Sequence, residues 1–288
     1  MTMDAPQIDQ QNADQAAYWN GPAGRHWTER QQIQDLVLAP VSRILIERAG
    51  ITPETHALDV GCGCGATTIE IGKQLGPAGR VLGLDISAPM LARARELAPE
   101  GAPIDFVLAD ATMYAFEPQS FDLLVSRFGV MFFADPVASF ANLRTALKHG
   151  GRVAFACWRE PRQNPWMMVP LKAAYKHVPK LPEMAPHDPG PFAFAQEDWV
   201  QHILTSAGFS SIAMEPHDVQ LDIAVGRGLE AAIEGALEIG PASRALEGQP
   251  DHLREAAIAS IRETLRPLVT DGKVPLGGSI WLVSATNP

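Results

Sequence analysis

The sequence predicts an α/β protein built on a parallel sheet with helices on both faces. From about residue 55, short apolar runs alternate with helical patterns, and glycine or proline punctuates the joints, as at Gly76-Pro77 and Gly150-Gly151. The runs are continuously apolar, as strands buried on both faces must be. The first of them, Ala57-Leu58-Asp59-Val60, breaks into Gly61-Cys62-Gly63-Cys64-Gly65 and then into a helix start. That order of strand, glycine loop and helix is a nucleotide-type binding corner.

The elements follow in chain order. Residues 1–15, rich in Gln, Asp and Asn, read as mobile. Tyr18, Trp19 and Trp27 then fall around Gly21-Pro22-Ala23-Gly24, too aromatic for a solvated tail. This segment should cover either the core or a ligand. Residues 31–49 follow helical spacing through Ile33, Leu36, Val37, Val41, Ile44 and Leu45, with Pro40 as a kink or break. Strands are expected at 56–60, 80–85, 104–109, 121–126 and 151–158, with helices at 66–75, 88–98 and 136–148. From Pro161 to Pro191 the texture turns to Pro, His and Met, with one helical stretch at 166–177. A helix at 196–207, a strand near 210–224, helices at 228–238 and 251–266 and a closing strand at 279–284 complete the chain. The organisation expected is an aromatic and helical lid over 1–50, a binding core over 51–160, a cap insertion over 161–195 and core-completing elements over 196–288.

Composition narrows the function. The net charge is −10 and no Lys/Arg cluster appears, which argues against a nucleic-acid partner or an anionic membrane surface. The polar N-terminus shows no signal peptide. No apolar run reaches spanning length, because Arg127 interrupts the best one at 121–133, so no stable membrane insertion is expected. Three cysteines in a presumed core suit a reducing cytoplasm. No His/Asp/Glu cluster and no second Cys pair argue for a metal, so none is expected.

The glycine corner by itself fits two ligands. Gly61-x-Gly63-x-x-Ala66 also satisfies a dinucleotide fingerprint. Asp59 places a carboxylate two residues before the first glycine, which repels a pyrophosphate and welcomes an amino group. Asp85 ends the second strand, where a carboxylate can accept from both ribose hydroxyls of either ligand. Asp110 and Ala111 close the third strand, where an adenine amino group can be read. Three acids at three strand ends favour a cationic adenosyl ligand, and S-adenosyl-L-methionine carries both a sulfonium and an ammonium.

At this point the chain resembles the class I SAM-dependent methyltransferases, especially their UbiE-like (methyltransferase 11/25) group. The resemblance rests on Leu58-Asp59-Val60-Gly61-Cys62-Gly63-Cys64-Gly65, Gly83-Leu84-Asp85-Ile86-Ser87, Met90-Leu91, Ala109-Asp110-Ala111, Phe121-Asp122 and Leu147-Lys148-His149-Gly150-Gly151-Arg152. It covers 55–158 strongly and the ends loosely. It implies a Rossmann-like, seven-stranded, mostly parallel sheet whose last strand inserts antiparallel. It also implies roles: Asp59, Gly61, Cys62, Gly63 and Gly65 around the methionine moiety, Asp85 at the ribose, Ile86 and Met90 against adenine or ribose, Asp110 and Ala111 at the adenine. Ser126 and Arg127 would line the pocket beside the sulfonium. For Ile86, Met90 and Phe128, plain core packing is the competing reading.

The acceptor belongs outside the carboxyl ends of the strands. The segments reaching that edge carry Phe128, Met131, Phe132, Phe133, Trp158 and Trp166, joined by Tyr18, Trp19 and Trp27 from the N-terminus. Such walls suit a small aromatic or otherwise apolar substrate under a lid. Arg127, the one cation in the wall, could bind a substrate anion or pair with Asp122 or Asp135. His26 is the leading candidate base, ahead of His177, His187 and His202. Ser126-Arg127-Phe128-Gly129 stands where amine-methylating enzymes carry Asn/Asp-Pro-Pro-aromatic, which disfavours exocyclic amines of nucleic acid. The reading is therefore a cytoplasmic SAM-dependent methyltransferase acting on an oxygen or carbon nucleophile, with a homodimer left open. The alternatives are a non-catalytic SAM-binding module and an NAD(P)-dependent oxidoreductase.

Overall fold

The computed structural model describes residues 7–185 and 187–288. Residues 1–6 of the expected tail and lid, and Pro186 of the expected cap, lie outside the described residues. The described N-terminus holds helices α1 (Ala13–Asn20), α2 (Pro22–Glu29) and α3 (Gln31–Ala49). Strand β1 (His56–Val60), helix α4 (Ala66–Gly72), β2 (Arg80–Asp85), α5 (Ala88–Leu97), β3 (Ile104–Leu108) and β4 (Phe121–Arg127) follow. Then come α6 (Pro136–Ala146), β5 (Leu147–Trp158), α7 (Pro165–Ala174), α8 (Glu197–Ser206) and β6 (Ser210–Asp222). Helices α9 (Leu229–Glu238), α10 (Pro241–Leu246) and α11 (Asp251–Leu265) precede the last strand, β7 (Pro275–Thr286).

The seven strands lie in the order β3-β2-β1-β4-β5-β7-β6. The first five run parallel, and β7 inserts antiparallel between β5 and β6. Leu58, Leu123, Leu124, Val125 and Phe155 are fully buried, which accounts for the unbroken apolar runs in the sequence. The order reverses between β1 and β4, so the carboxyl ends of these two strands part and leave a crevice there.

Four expectations change. Residues 10–15, read as mobile, form a 3₁₀ turn (Gln10–Asn12) and the start of α1. The turn is fixed because the Asp9 side chain caps it and the Asn12 side chain is buried against β3's exit loop. Pro40 neither kinks α3 to a stop nor splits it, since Val37, Leu38, Val41 and Leu45 bury the helix against the sheet. Leu36, counted with the apolar stripe, is 62% exposed, and Gln34 takes a buried place instead. Strand β5 also starts four residues earlier than its glycine pair suggests, at Leu147.

A second apolar cluster lies beside the sheet. Leu171 of α7 joins Ile233, Leu246, Ile261 and Leu265 from α9, α10 and α11. The layer around α7 is thus completed by the long connection between β6 and β7. Arg30 ties the end of α2 to α9 through Glu234 at 3.7 Å and Glu238. No helix among the described residues is long and apolar enough to cross a membrane.

Candidate cofactor and acceptor site

The corner after β1 is built by backbone approaches that only glycine permits. Gly61 has φ +64°, and a Cβ there would stand 2.6 Å from the Cα of Gly129. The loop after β1 and the loop after β4 therefore touch backbone to backbone. Gly61 and Cys62 both donate their N–H to the carbonyl of Leu84, at 2.8 and 3.1 Å, which folds the loop over the end of β2. Ser126 locks the other side: its hydroxyl donates to the Val60 carbonyl at 2.7 Å and accepts from the N–H of Gly129 and Val130.

Around this corner lies a cavity lined from the ends of β1, β2 and β4, the loop after β3 and the N-terminal helices. Gly61, Cys62 and Gly63 form its floor, and Asp85, Ile86 and Met90 form one wall. Asp110 and Ala111 line it as well. The aromatic part of the lining is Trp19, Trp27, Phe128, Phe132 and Phe133. Arg127 and Asp35 also line it.

Each wall residue is held by named bonds. Asp85 is buried, accepting from Gly63 N–H at 2.7 Å and from Ser87 N–H at 2.8 Å, so it fixes the glycine loop to α5. Burial, the larger influence, pushes its carboxyl above the ordinary value against these bonds. Arg127 donates to Ser42 Oγ at 2.7 Å and to Asp35 at 3.3 Å. Its partner is thus neither Asp122, which pairs with Lys148, nor Asp135, which caps α6. Gln31 donates to the second oxygen of Asp35.

Helices α1 and α2 cover the opening. Trp19 meets Phe132 edge-on at 5.1 Å and Trp27 at 6.2 Å. The Trp19 carbonyl accepts from Ser87 Oγ at 2.7 Å, while Asn20 bonds Ile86 O and Ala88 N–H, each at 2.9 Å. Asn12 reaches Asp110 and accepts from Ala134 N–H at 3.0 Å. The N-terminus therefore bridges the tips of β2, β3 and β4.

Several residues predicted for the site stand outside its wall. Asp59 lies behind the loop, where Thr68 donates to it at 2.6 Å. Gly65 faces α5 and β3, its Cβ position 3.0 Å from Ala94 and 3.1 Å from Phe106. Ser126 is a brace, as described. His26 is exposed on α2 and does not reach the cavity. Tyr18 is 43% exposed and touches Trp19 from outside. Met131 is buried in the core, and Trp158 stacks behind Phe128 at 4.2 Å. Trp166 tilts on Trp158 and lines a separate, smaller cleft between α3, α7 and α9. Conversely, Asn12, Gln15, Asp35 and Leu38 line the cavity without having been singled out. A helical face through Asn12, Gln15 and Trp19 was the available signal for the first two. Asp35 had none, since its partner is 92 positions away.

The buried Asp59 carboxyl has a consequence for stability. Its Oδ1 has no partner among the described residues, and burial holds the group up at about 6, against ~3.9 in an unfolded chain. The unfolded state therefore releases this proton first. The stability is fully present below pH ~4 and declines as pH rises through 6, by about 3 kcal/mol in all. Relative to wild type, Asp59→Asn is expected to gain about 2–3 kcal/mol between pH 4 and pH 8, read by urea unfolding at both. Parallel pH profiles for the two proteins would contradict a raised Asp59.

The residues fit S-adenosylmethionine. Three carboxylates, Asp35, Asp85 and Asp110, line the cavity against the single guanidinium of Arg127, which matches a cationic adenosyl ligand better than a pyrophosphate. The comparisons agree. Residues 57–151 match the methyltransferase domain family. The nocamycin O-methyltransferase of Saccharothrix syringae is 30% identical over 192 residues, 63% of this chain and 69% of that protein. The aklanonic acid methyltransferase of Streptomyces sp. strain C5 is 35% identical over 118 residues, 40% of this chain and 54% of that protein. The demethylmenaquinone methyltransferase of Staphylococcus aureus is 36% identical over 104 residues, 36% of this chain and 43% of that protein. The chain thus spans about half the length of the last two relatives. A solved structure from Bacillus halodurans shares the fold, with a TM-score of 0.55 at 17% identity over 86% of this chain and 98% of the other. With the glycine corner, the acids around it and a relative matched over more than two thirds of its length, the chain belongs to the class I S-adenosylmethionine-dependent methyltransferases.

Proposed function

We propose that the enzyme methylates an oxygen or carbon nucleophile of a small aromatic or apolar molecule. The observation that carries this is the lining itself, in which Trp27, Leu38, Phe128, Phe132 and Phe133 share the cavity with one ion pair, Arg127–Asp35. An apolar wall selects an apolar body, and one ion pair selects one acidic oxygen on it. Among the relatives, one is named an O-methyltransferase and another acts on demethylmenaquinone, which supports the same class.

When bound, the cofactor supplies a methyl group already activated by its sulfonium. What remains for the chain is to aim a nucleophile, and orientation alone can lower the barrier by ~7–11 kcal/mol. Arg127 spends two of its N–H groups on Ser42 and Asp35, leaving donors for an anionic oxygen of the acceptor. Asp35 supplies the carboxylate that takes the proton of an acidic O–H or C–H. His26 is not used, being exposed on the outer side of the lid. Trp19, Trp27 and Phe132 exclude water from the reacting end.

The test is a panel of phenols, quinols and 1,3-dicarbonyl compounds set beside amines and thiols, each incubated with methyl-labelled cofactor and read by mass spectrometry. Label is expected on oxygen or carbon of the acidic aromatic compounds. Transfer confined to amines or thiols would overturn the reading.

A further inference from the structure

We infer that Phe128 is a specificity-determining residue of the acceptor space, selecting a flat ring that carries its nucleophilic atom directly. The inference deepens the reading of an acidic aromatic acceptor and rests on it. Phe128 has φ +69°, in the left-handed region that glycine enters freely and a bulky side chain rarely does. The chain turns there in one residue, from the end of β4 into the 3₁₀ turn Gly129–Phe132. A glycine at 128 would make that turn without strain. The glycine stands one position later instead, where a Cβ would come 2.6 Å from both the Cα of Gly61 and the carbonyl oxygen of Val60. Strain kept beside a ligand cavity points to a side chain retained for what it does there.

The surroundings hold both this backbone and the ring on it. The Phe128 N–H donates to the Ala156 carbonyl at 3.0 Å, and the next two N–H groups donate to Ser126 Oγ. The ring lies nearly parallel to Trp158, at 12° with centroids 4.2 Å apart, so one of its faces is covered. Trp166 backs Trp158 in turn, with centroids at 5.1 Å. Gly278 of β7 leaves room for the two indoles, since a Cβ there would stand 3.3 Å from each. Phe128 thus cannot draw back, yet it is still 9% exposed and lines the cavity. The residue before it supplies the chemistry. Arg127 lines the same cavity with donors left for an anionic oxygen. With both side chains on one cavity from adjacent positions, an acceptor whose oxygen meets the guanidinium has its body against the ring. A naphtholate brings a planar face there, and paired aromatic rings gain more than their buried area. An alkyl chain gains the area alone.

The test compares two acidic acceptors of different shape, 2-naphthol and decane-2,4-dione, by kcat/KM with methyl-labelled cofactor. Wild type, Phe128→Leu, Phe128→Ala and Phe128→Gly are each followed by urea unfolding and by calorimetry with S-adenosylhomocysteine. Wild type is expected to favour the naphthol. In Phe128→Leu, which keeps an apolar side chain and loses the flat face, the naphthol-to-dione ratio should fall about tenfold. Phe128→Gly should unfold at a higher urea concentration than Phe128→Ala, because alanine keeps the strain and glycine relieves it. A wild type that favours the dione, or an unchanged ratio in Phe128→Leu, would overturn the specificity role while leaving methyl transfer to acidic acceptors standing. Equal midpoints for the alanine and glycine variants would remove the strain that argues for the ring. Wild type that binds S-adenosylhomocysteine and labels neither acceptor would overturn the proposed reaction, and this inference with it.

Discussion

Asp85→Ala is expected to weaken S-adenosylhomocysteine binding by about 2–3 kcal/mol, roughly 30- to 150-fold. The carboxylate spends one lone pair per oxygen on Gly63 and Ser87, and the other pair of each oxygen remains for a ribose hydroxyl. Two charge-assisted bonds to ligand are lost with it. The loop suffers as well, because the Gly63 N–H that Asp85 held loses its acceptor. Stability should respond much less than affinity, since the buried carboxyl is itself disfavoured in its charged form. Asp85→Asn, which keeps an acceptor for Gly63, should fall between wild type and alanine. Unchanged affinity by calorimetry would remove Asp85 from the ribose site.

The same corner shows what a sequence can disclose. Strands β1 and β2 were legible to the residue because a strand buried on both faces is an apolar run with sharp ends. The glycines and the acids at 85 and 110 follow from local chemistry, so they point to the ligand before any coordinates exist. What is not local was not legible. Asp35 reaches Arg127 only because α3 packs across the sheet, and no spacing rule connects positions that far apart. Asp59 sits in the right motif yet faces Thr68, since one residue of strand alternation decides which side a carboxylate takes. Helix α10 was missed because Gly240-Pro241 reads as a turn and only six residues follow before the helix ends. The N-terminal segment failed for a different reason. Its polarity looks like solvation, but Asn12 and Asp9 spend their polar groups on Asp110, Thr112 and Ala134.

That segment sets the second large expectation. A chain beginning at Gln31 should fold and yet lose most of its cofactor affinity, by a hundredfold or more on the order of 3 kcal/mol. The sheet and the core beneath it owe little to residues before α3, because β1 to β7 pair with one another and α3 supplies the covering helix on that face. The cavity owes a good deal to them: Asn12, Gln15, Trp19 and Trp27 are wall, and the bonds from Trp19 and Asn20 steady the turn after Asp85. Without them Asp110 faces water, Phe132 loses its edge-on partner and the reacting end opens to solvent. Methyl transfer should therefore fall further than binding, since an open site loses both the water-excluding aromatic cover and the alignment it imposes. Circular dichroism and thermal melts report the fold, and calorimetry with S-adenosylhomocysteine reports the site. Full affinity in a well-folded truncated chain would mean that α1 and α2 rest on the cavity without forming it, and the aromatic cover would have to be assigned to the acceptor alone.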